Sequence, residues 1–331
     1  MKSSEAIKPI GGYFEWEFPP QKEFSLHENA VFLNSGRHAL EYILNGIGNV
    51  TRLYIPYYTC DAILLPLEHL NIPYTFYSID ENLEIAEGIQ LGKNEYLLYT
   101  NYFGIKDEYV KQVVKQYGDF IIIDNAQALY CPAYAKHQIY SPRKFMGMPD
   151  GGIAVTNVPN YSDQLPQCFS YDRCKHLLKR TELIPSEGYN DFKEVSHQIQ
   201  LSQVSRMSEI SKIILQTVDL ETIKEQRRKN FRLLNENLKS TNKLDLLMDE
   251  NFIDSFSCPL VYPYFTNDTE LKSRLIKEQV FVATYWPNVL NWTHPDMIEY
   301  EYAYNLLAIP CDQRYGDEDM NRIIKLITNQ K

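Results

Sequence analysis

Short apolar runs rich in β-branched and aromatic residues alternate with amphipathic stretches through the first half of the chain. We interpret the runs at 31–33, 52–56, 72–80, 96–100, 120–123 and 153–156 as strands, with one helix that ends near residue 44 and another over 107–117. Strands that alternate with helices at this spacing are typical of βαβ units. The pattern therefore predicts an α/β fold built around a large, mostly parallel sheet.

The second half of the chain has a different pattern. A charged stretch at 160–180 predicts a surface helix, and residues 202–238 predict one long amphipathic helix or two. Further on, strands are expected at 257–262 and 280–287, on either side of a helix at 271–278. Since 331 residues suffice for two domains, we expect a large domain over 1–245, which opens with an irregular arm at 1–30, and a smaller C-terminal α+β domain over 246–331.

Composition and charge exclude several classes of function. The net charge is −10 and no cluster of Lys or Arg is present, which argues against a nucleic-acid partner. There is neither a secretory leader pattern nor an apolar run long enough for a membrane span. Six dispersed cysteines without a CxxC pair indicate reduced thiols and a cytoplasmic protein, and seven dispersed histidines predict no metal site.

One carboxylate and one lysine are the strongest candidates for chemistry. The run at 120–123 ends at Asp124, which is typical of a buried parallel strand with a polar group at its carboxyl end, where ligands of open α/β sheets bind. Lys144 follows in a segment constrained by Pro142 and by Gly151-Gly152. Taken singly, Asp124 could be a capping residue and Lys144 a solvated surface lysine. Their order along the chain favours a functional pair.

Two motifs around these residues resemble those of a known family. The segment 124–128, Asp-Asn-Ala-Gln-Ala, resembles the D-x-A-[QH]-A motif of the DegT/DnrJ/EryC1/StrS family. Lys144, with glycines 7 and 8 residues later, is similar to that family's Schiff-base lysine and its trailing glycine pair. These are fold-type-I pyridoxal 5′-phosphate (PLP) enzymes, aspartate aminotransferase-like in fold and mostly sugar aminotransferases. The resemblance extends over nearly the whole chain.

The resemblance implies a role for each residue of the central motifs. Lys144 would hold the PLP aldehyde as an imine. Asp124 would keep the pyridine nitrogen protonated, so that the ring acts as an electron sink. Gln127 would hydrogen-bond the 3-oxygen side of the ring, and the Ser141 hydroxyl would contact the phosphate.

The turn before the first helix resembles the family's phosphate-binding turn, S-G-T-x-A-L. Ser35 and Gly36 match its first two positions, and Arg37 stands where threonine is usual. Free N–H groups and the positive end of the helix dipole suit a phosphate, which an arginine can also face. Ser35, Gly36 and Arg37 are therefore predicted to bind the cofactor, although an ordinary capped helix would have the same sequence.

Two further positions are implied by the family alone. The family places an aromatic ring over the cofactor just after a proline that matches Pro56. Counting from that proline gives Cys60 at the position of the ring, with Tyr58 nearby. We therefore assign Tyr58 to this role, with core packing as the alternative. Gly188-Tyr189-Asn190 resembles a G-Y-N motif whose asparagine reaches the phosphate of the partner subunit. The family also uses a long helix, here within 202–238, to link its domains.

The function that the resemblance implies is transfer of an amino group from an amino acid donor to a keto sugar, typically linked to a nucleotide in this family, by a homodimer. A catalytically diverged relative, either a dehydratase or a binding protein, stays open because Arg37, Cys60 and Asn101 depart from the family pattern. The family's dehydratases carry histidine in place of the lysine, and Lys144 argues against that branch. An unrelated α/β interaction module would require the spaced motifs to be coincidental.

Overall fold

A seven-stranded sheet forms the centre of the protein, seen in a computed structural model that describes residues 10–24, 26–249 and 252–328. Its strands are β1 (Ala30–Leu33), β2 (Arg52–Pro56), β3 (Tyr74–Tyr77), β4 (Glu95–Thr100), β5 (Ile121–Asn125), β6 (His137–Tyr140) and β7 (Gly152–Thr156). They lie in the order β1-β7-β6-β5-β4-β2-β3. All neighbouring pairs from β6 to β3 are parallel, and β7 runs antiparallel to β6 and β1. The predicted α/β class with a large, mostly parallel sheet is confirmed.

The two faces of the sheet bury separate apolar layers, because successive side chains of a strand point to opposite faces. Ile122 of β5 packs in one layer with helix α1 (Gly36–Ile47) and helix α2 (Leu64–His69). Ile121 and Ile123 pack in the other layer. All five residues of β5 are buried, as expected for a central parallel strand covered on both faces.

Further helices and one pair of strands follow in chain order, among the residues that the structure describes. The helices are α3 (Asp107–Tyr117), α4 (Lys175–Glu182), α5 (Pro185–Leu201), α6 (Glu209–Thr217), α7 (Leu220–Leu238), α8 (Leu271–Lys277), α9 (Val289–Trp292), α10 (Ile298–Asn305) and, last, α11 (Asp317–Thr328). The strands β8 (Val261–Phe265) and β9 (Leu306–Pro310) form a separate antiparallel pair. No helix in the described ranges is both long and apolar enough to cross a bilayer.

Two predicted elements need correction. Residues 280–287 do not form a strand, and this segment contributes one isolated bridge, Ala283 to Ala308. Val280 and Val282 are buried, so their apolar pattern reflects packing in the core and not strand pairing. The expected helix at 160–180 is reduced to short turns and the start of α4, since Pro166 cannot donate a helical hydrogen bond. The region 202–238 holds two helices, α6 and α7, which is one of the two alternatives that its pattern predicted.

Strand β6 was not foreseen, because its sequence His-Gln-Ile-Tyr lacks a continuous apolar run although all four residues are buried. The arm is irregular over the described residues 10–24, as expected. The division into 1–245 and 246–331 stays a prediction, and it includes residues 1–9, 25, 250–251 and 329–331, which lie outside the described ranges. One apolar cluster joins both sides of that boundary, from Tyr58 to Ile327.

Candidate active site

A cleft of about 1140 Å³ lies at the carboxyl ends of the parallel strands. It is lined by residues that follow β1, β2, β5 and β6, by the segment around Lys144, by α4 to α7, and by the segment after β9. Among the predicted site residues, those that line it are Ser35, Gly36, Arg37, Asp124, Ser141 and Lys144. The sheet topology thus brings together residues more than 100 positions apart in sequence.

Asp124 is a buried carboxylate at the end of β5, where its neighbours in the sheet are Thr100 and Ile139. Its Oδ1 accepts a hydrogen bond from the Ala126 N–H at 2.8 Å. Burial raises the pKa of Asp124, while the positive charge of Lys144 and the Ala126 hydrogen bond lower it. A cation in the cleft is therefore what favours the charged form of this carboxylate.

Lys144 lies in a short helical turn, Pro142–Lys144, that follows β6. Its N–H donates to the Ser141 carbonyl at 3.1 Å, so the backbone of the turn is fixed. The side chain is exposed and forms no hydrogen bond or ion pair with the described residues. By contrast, Lys136, the nearest rival lysine, is ion-paired with Asp119. Lys144 thus offers the cleft a free amine.

The carbonyl after Lys144 is held by two residues distant in sequence. The Phe145 carbonyl oxygen accepts hydrogen bonds from Arg227 of α7 at 3.3 Å and from Gln313 at 2.8 Å. Arg227 is buried, its guanidinium lies 4.7 Å from the Phe145 ring centre, and it also donates to the Leu260 carbonyl at 3.0 Å. These contacts tie the segment that carries Lys144 to α7 and to the C-terminal part of the chain.

The turn before α1 is packed against Gly151 and Gly152, where β7 begins. Ser35 caps α1 by accepting a hydrogen bond from the His38 N–H at 3.2 Å. A Cβ on Gly152 would lie 2.1 Å from the Ser35 carbonyl carbon, so only glycine permits this approach. Gly151, at φ +139°, donates to the Asn34 carbonyl at 2.9 Å. The glycine pair therefore sets the position of the turn, which faces Ser141: a Cβ on Gly36 would lie 3.6 Å from the Ser141 Cβ.

Arg37, the departure from the family's threonine, lines the cleft. Burial lowers the pKa of Arg37, and the neighbouring Cys60 and Asp61 raise it. Cys60 itself lines the cleft, where burial raises its pKa and the charge of Lys144 lowers it. Cys60, at the position where the family has an aromatic ring, thus places a thiol in the same cleft as Lys144.

The structure does not bring Tyr58 or Asn190 to the cleft. Tyr58 is fully buried against Tyr102, Trp286 and Tyr302, with ring centres 5.2 to 5.8 Å apart, and core packing accounts for it. Asn190 is exposed on α5 and does not line the cleft of its own chain.

Two other polar residues lie behind the cleft. Asn101, which departs from the family's histidine, is buried and donates to Asp107 at 2.8 Å and to Asn125 at 3.0 Å, so it connects β4, α3 and β5. Gln127 accepts a hydrogen bond from the Phe103 N–H at 2.7 Å through Oε1. Its Nε2 is buried and has no hydrogen-bond partner in the described residues.

This donor set suits pyridoxal phosphate. A buried amide nitrogen on Gln127 without a partner can donate to a ring oxygen, and the buried carboxylate of Asp124 can accept from a ring nitrogen. Lys144 supplies an amine, while Ser35 and Ser141 flank the start of α1, where an anion is favoured. The groups that would meet the aldehyde, the ring nitrogen and the phosphate therefore line the cleft, whereas Gln127, predicted to bind the ring oxygen, is buried behind it and is not among the lining residues.

The residues that sequence analysis missed are Arg143, His176, Arg227 and Gln313, all of which line the cleft. Arg143 stands next to Lys144 and could have been found from that position. The other three are distant in sequence and lie in no recognisable motif, so only the fold reveals them.

Comparisons with family models and with curated proteins found no match. Solved structures do match. An aminotransferase of the DegT/DnrJ/EryC1/StrS family from Brucella abortus has a TM-score of 0.62 at 19% identity, over 92% of this chain and 86% of that one. DesI, solved in the presence of its TDP-sugar product, has a TM-score of 0.60 at 15% identity, over 92% and 81%. A protein of Streptococcus pneumoniae proposed to be a sugar aminotransferase, in its PLP form, has a TM-score of 0.62 at 15% identity, over 92% and 88%. The chain therefore has the fold of these enzymes, as its motifs predicted.

Proposed function

We propose that the chain is a PLP-dependent aminotransferase that moves an amino group from an amino acid donor to a keto sugar, carried on a nucleotide. The observation that carries this proposal is the buried carboxylate of Asp124 and the free amine of Lys144 on one cleft. The fold shared with sugar aminotransferases supports the reaction class, and the TDP-sugar product of DesI supports a nucleotide-linked acceptor.

The cofactor would be held through its aldehyde, its ring and its phosphate. Lys144 would attach the aldehyde, Asp124 would accept from the ring nitrogen, and Gln127 would donate to the 3-oxygen side. The phosphate would lie against the turn before α1, near Ser35, Gly36, Arg37 and Ser141. When bound, the cofactor supplies an electron sink for the negative charge that develops at the donor Cα.

Lys144 is the group that would move protons. Its amine has no competing ion pair in the described residues, so it is available to take the proton from the donor Cα and to return a proton as the general acid. Burial raises the pKa of Asp124, while the positive charge of Lys144 and the Ala126 N–H favour the carboxylate form that would accept from the ring nitrogen. Trp16 and Phe18 of the arm stack at a ring distance of 5.4 Å and line the cleft, where they would limit access of water.

A spectrum tests the proposal. Purified protein mixed with PLP is expected to develop the absorbance band of an imine and to lose it on borohydride treatment, with the label on Lys144 in peptide maps. Lys144→Ala should abolish the band, whereas Lys136→Ala is the matched control and should retain it. A label on Lys136 would reject the assignment.

One observation favours a second candidate, a diverged relative that binds the cofactor without transferring an amine. Cys60, which is not aromatic, lines the cleft, and Tyr58, two positions earlier in the sequence, is in the core. An amino acid donor should convert the bound cofactor to its amine form if the chain is an aminotransferase. If the imine band persists with every donor, the diverged binding protein or dehydratase is the better description.

We further propose a C2 homodimer, located in the cytoplasm as the six free cysteines suggest. The apolar residues at 204–214 do not supply a free face: Met207 is buried, and Ile210 and Ile214 line the cleft. Exposed apolar side chains that do not line the cleft lie instead on α5 and just before it, namely Leu183, Ile184, Tyr189 and Leu201. Such a patch suits a partner subunit, and exposed Asn190 on α5 would then reach the partner's cleft.

A further inference from the structure

Two residues that line the cleft each carry a buried polar atom without a hydrogen-bond partner among the described residues. These atoms are Nε of Arg143 and Nδ1 of His176, each inaccessible to water. Both residues line the cleft, and the His176 side chain on α4 is only 7% exposed. Buried polar groups are normally paired, so two unpaired atoms on residues of one cleft indicate a missing partner.

The charges around Arg143 are unbalanced. Burial above all, together with the charges of Arg173 and Arg37, lowers the pKa of Arg143 to about 10, and Asp150 alone opposes them. Asp150 is already bound: Oδ2 accepts from the Ser208 N–H at 3.0 Å, and Oδ1 accepts from the Ser208 hydroxyl at 2.6 Å and from the Ser211 hydroxyl. Arg37 faces Asp61, and Arg173 Nε lies 3.7 Å from Asp172 Oδ1. Arg143 thus depends on a carboxylate whose oxygens are already occupied, and an anion beside it would stabilise its buried charge.

His176 faces the same surplus of positive charge. Burial lowers the pKa of His176, as does Arg143, while the Arg173 backbone and Asp191 raise it. The ring is thus neutral at pH 7 without an anion, and a neutral imidazole can still donate one hydrogen bond from Nδ1.

We propose that Arg143 and His176 bind a phosphate group in the cleft. Guanidinium groups bind phosphate oxygens through parallel hydrogen bonds, and a phosphate dianion offsets more positive charge than a carboxylate does. The inference rests on the proposed function for the source of that group, which is either the phosphate of PLP or the diphosphate of a nucleotide-linked sugar.

Three ligands test the site on the full-length protein: inorganic phosphate, PLP compared with pyridoxal, and TDP. The variants are Arg143→Gln and His176→Gln, with Arg232→Gln, an exposed arginine on α7 that does not line the cleft, as the matched control. In thermal-shift titrations at constant ionic strength, we expect Arg143→Gln to lower the affinity for inorganic phosphate at least tenfold. His176→Gln should lower this affinity less, and the control should bind phosphate as wild type does. Circular dichroism and the unfolding midpoint without ligand verify that each variant is folded.

Titrations with PLP, pyridoxal and TDP identify which molecule supplies the phosphate group. If Arg143 binds the cofactor phosphate, Arg143→Gln lowers the affinity for PLP at least tenfold and leaves the affinities for pyridoxal and TDP unchanged. If Arg143 binds the nucleotide, the variant lowers the affinity for TDP and not that for PLP. Wild-type affinity of both variants for phosphate, PLP and TDP would overturn the inference. Arg143-dependent phosphate binding in a protein that binds no PLP would instead reject the proposed function and retain the site. If Arg143→Gln does not fold, Arg143→Lys replaces it: loss of phosphate affinity in that charge-preserving variant supports the guanidinium contact, and unchanged affinity rejects it.

Discussion

Gly152 and Ser35 are in backbone contact: a Cβ added to Gly152 would lie 2.1 Å from the carbonyl carbon and oxygen of Ser35. This contact joins the start of β7 to the turn that opens α1. Because that turn carries the predicted phosphate site, the close approach of the Gly152 and Ser35 backbones fixes the position of the residues predicted to bind the phosphate.

Gly152→Ala should therefore damage both stability and cofactor binding. The methyl group must displace backbone, and overpacking of this kind costs about 1–3 kcal/mol. We expect urea unfolding to detect that loss and titration to show weaker PLP binding, with pyridoxal less affected. Gly316→Ala is the control, since no atom lies within 4 Å of a Cβ added at that position. Equal stability of the two variants would contradict the close packing.

Asp124→Asn should lower turnover severely while the protein stays folded. Without the carboxylate, the ring nitrogen of the cofactor is not held protonated; a loss of roughly 4 kcal/mol of transition-state stabilisation corresponds to about three powers of ten in rate. Asp124→Ala should behave similarly. Steady-state kinetics with a saturating donor measure the effect, and peptide mapping should still find the label on Lys144. Turnover near wild type in both variants would reject this role.

Stability should fall as the pH falls from about 6.5 to about 4, in part because of His38. Burial, followed by the charge of Arg37, lowers the pKa of His38 to about 4, and its Nδ1 lies 2.8 Å from Asn34 Oδ1. In this window the unfolded chain binds a proton that the folded chain does not, so protonation favours unfolding.

His38→Gln should remove this contribution, which amounts to about 2.5 kcal/mol of unfolding free energy between pH 7.5 and pH 4.5. Urea unfolding at the two pH values measures the difference. His197, exposed on α5, is the control: His197→Gln should keep the wild-type pH dependence. An identical pH dependence in His38→Gln and wild type would show that His38 is not held neutral.

The proposed dimer predicts a concentration dependence of cofactor binding. A charge in the exposed patch, introduced by Tyr189→Asp and Leu201→Asp, should give monomers in light scattering and weaken PLP binding at low protein concentration. Tyr304→Asp, at an exposed position on α10, is the control and should remain dimeric. A stable wild-type monomer that binds PLP tightly and transfers amines would show that each site is complete within one chain.

The sequence predicted the parts of the fold whose signal is local. The apolar run that ends at Asp124 identified the central strand, and the spacing from Lys144 to the glycine pair identified the segment that opens onto the cleft. Strand β6 was not predicted because it contains the polar residue Gln138, which is nevertheless buried. Gln138 accepts a hydrogen bond from Asn125 at 3.0 Å and donates one to the Ala135 carbonyl at 3.1 Å, and these contacts cannot be read from a local sequence pattern.

The same limit applies to the site. Tyr58 lies only two residues from Cys60, yet one is in the core and the other in the cleft, because the chain turns there between β2 and α2. His176 and Gln313 reach the cleft from α4 and from the segment after β9, and no local pattern specifies such long-range proximity.

The hydrogen bonds from Arg227 and Gln313 to the Phe145 carbonyl have a consequence for biosynthesis. Gln313 follows Lys144 by 169 residues, so the ribosome adds it much later than the lysine. A nascent chain could pair its central strands long before this anchor is available. Correct placement of Lys144 therefore waits until this later segment has been made, and a chain that stops before residue 312 would keep the sheet sequence but lack this support of the segment around Lys144.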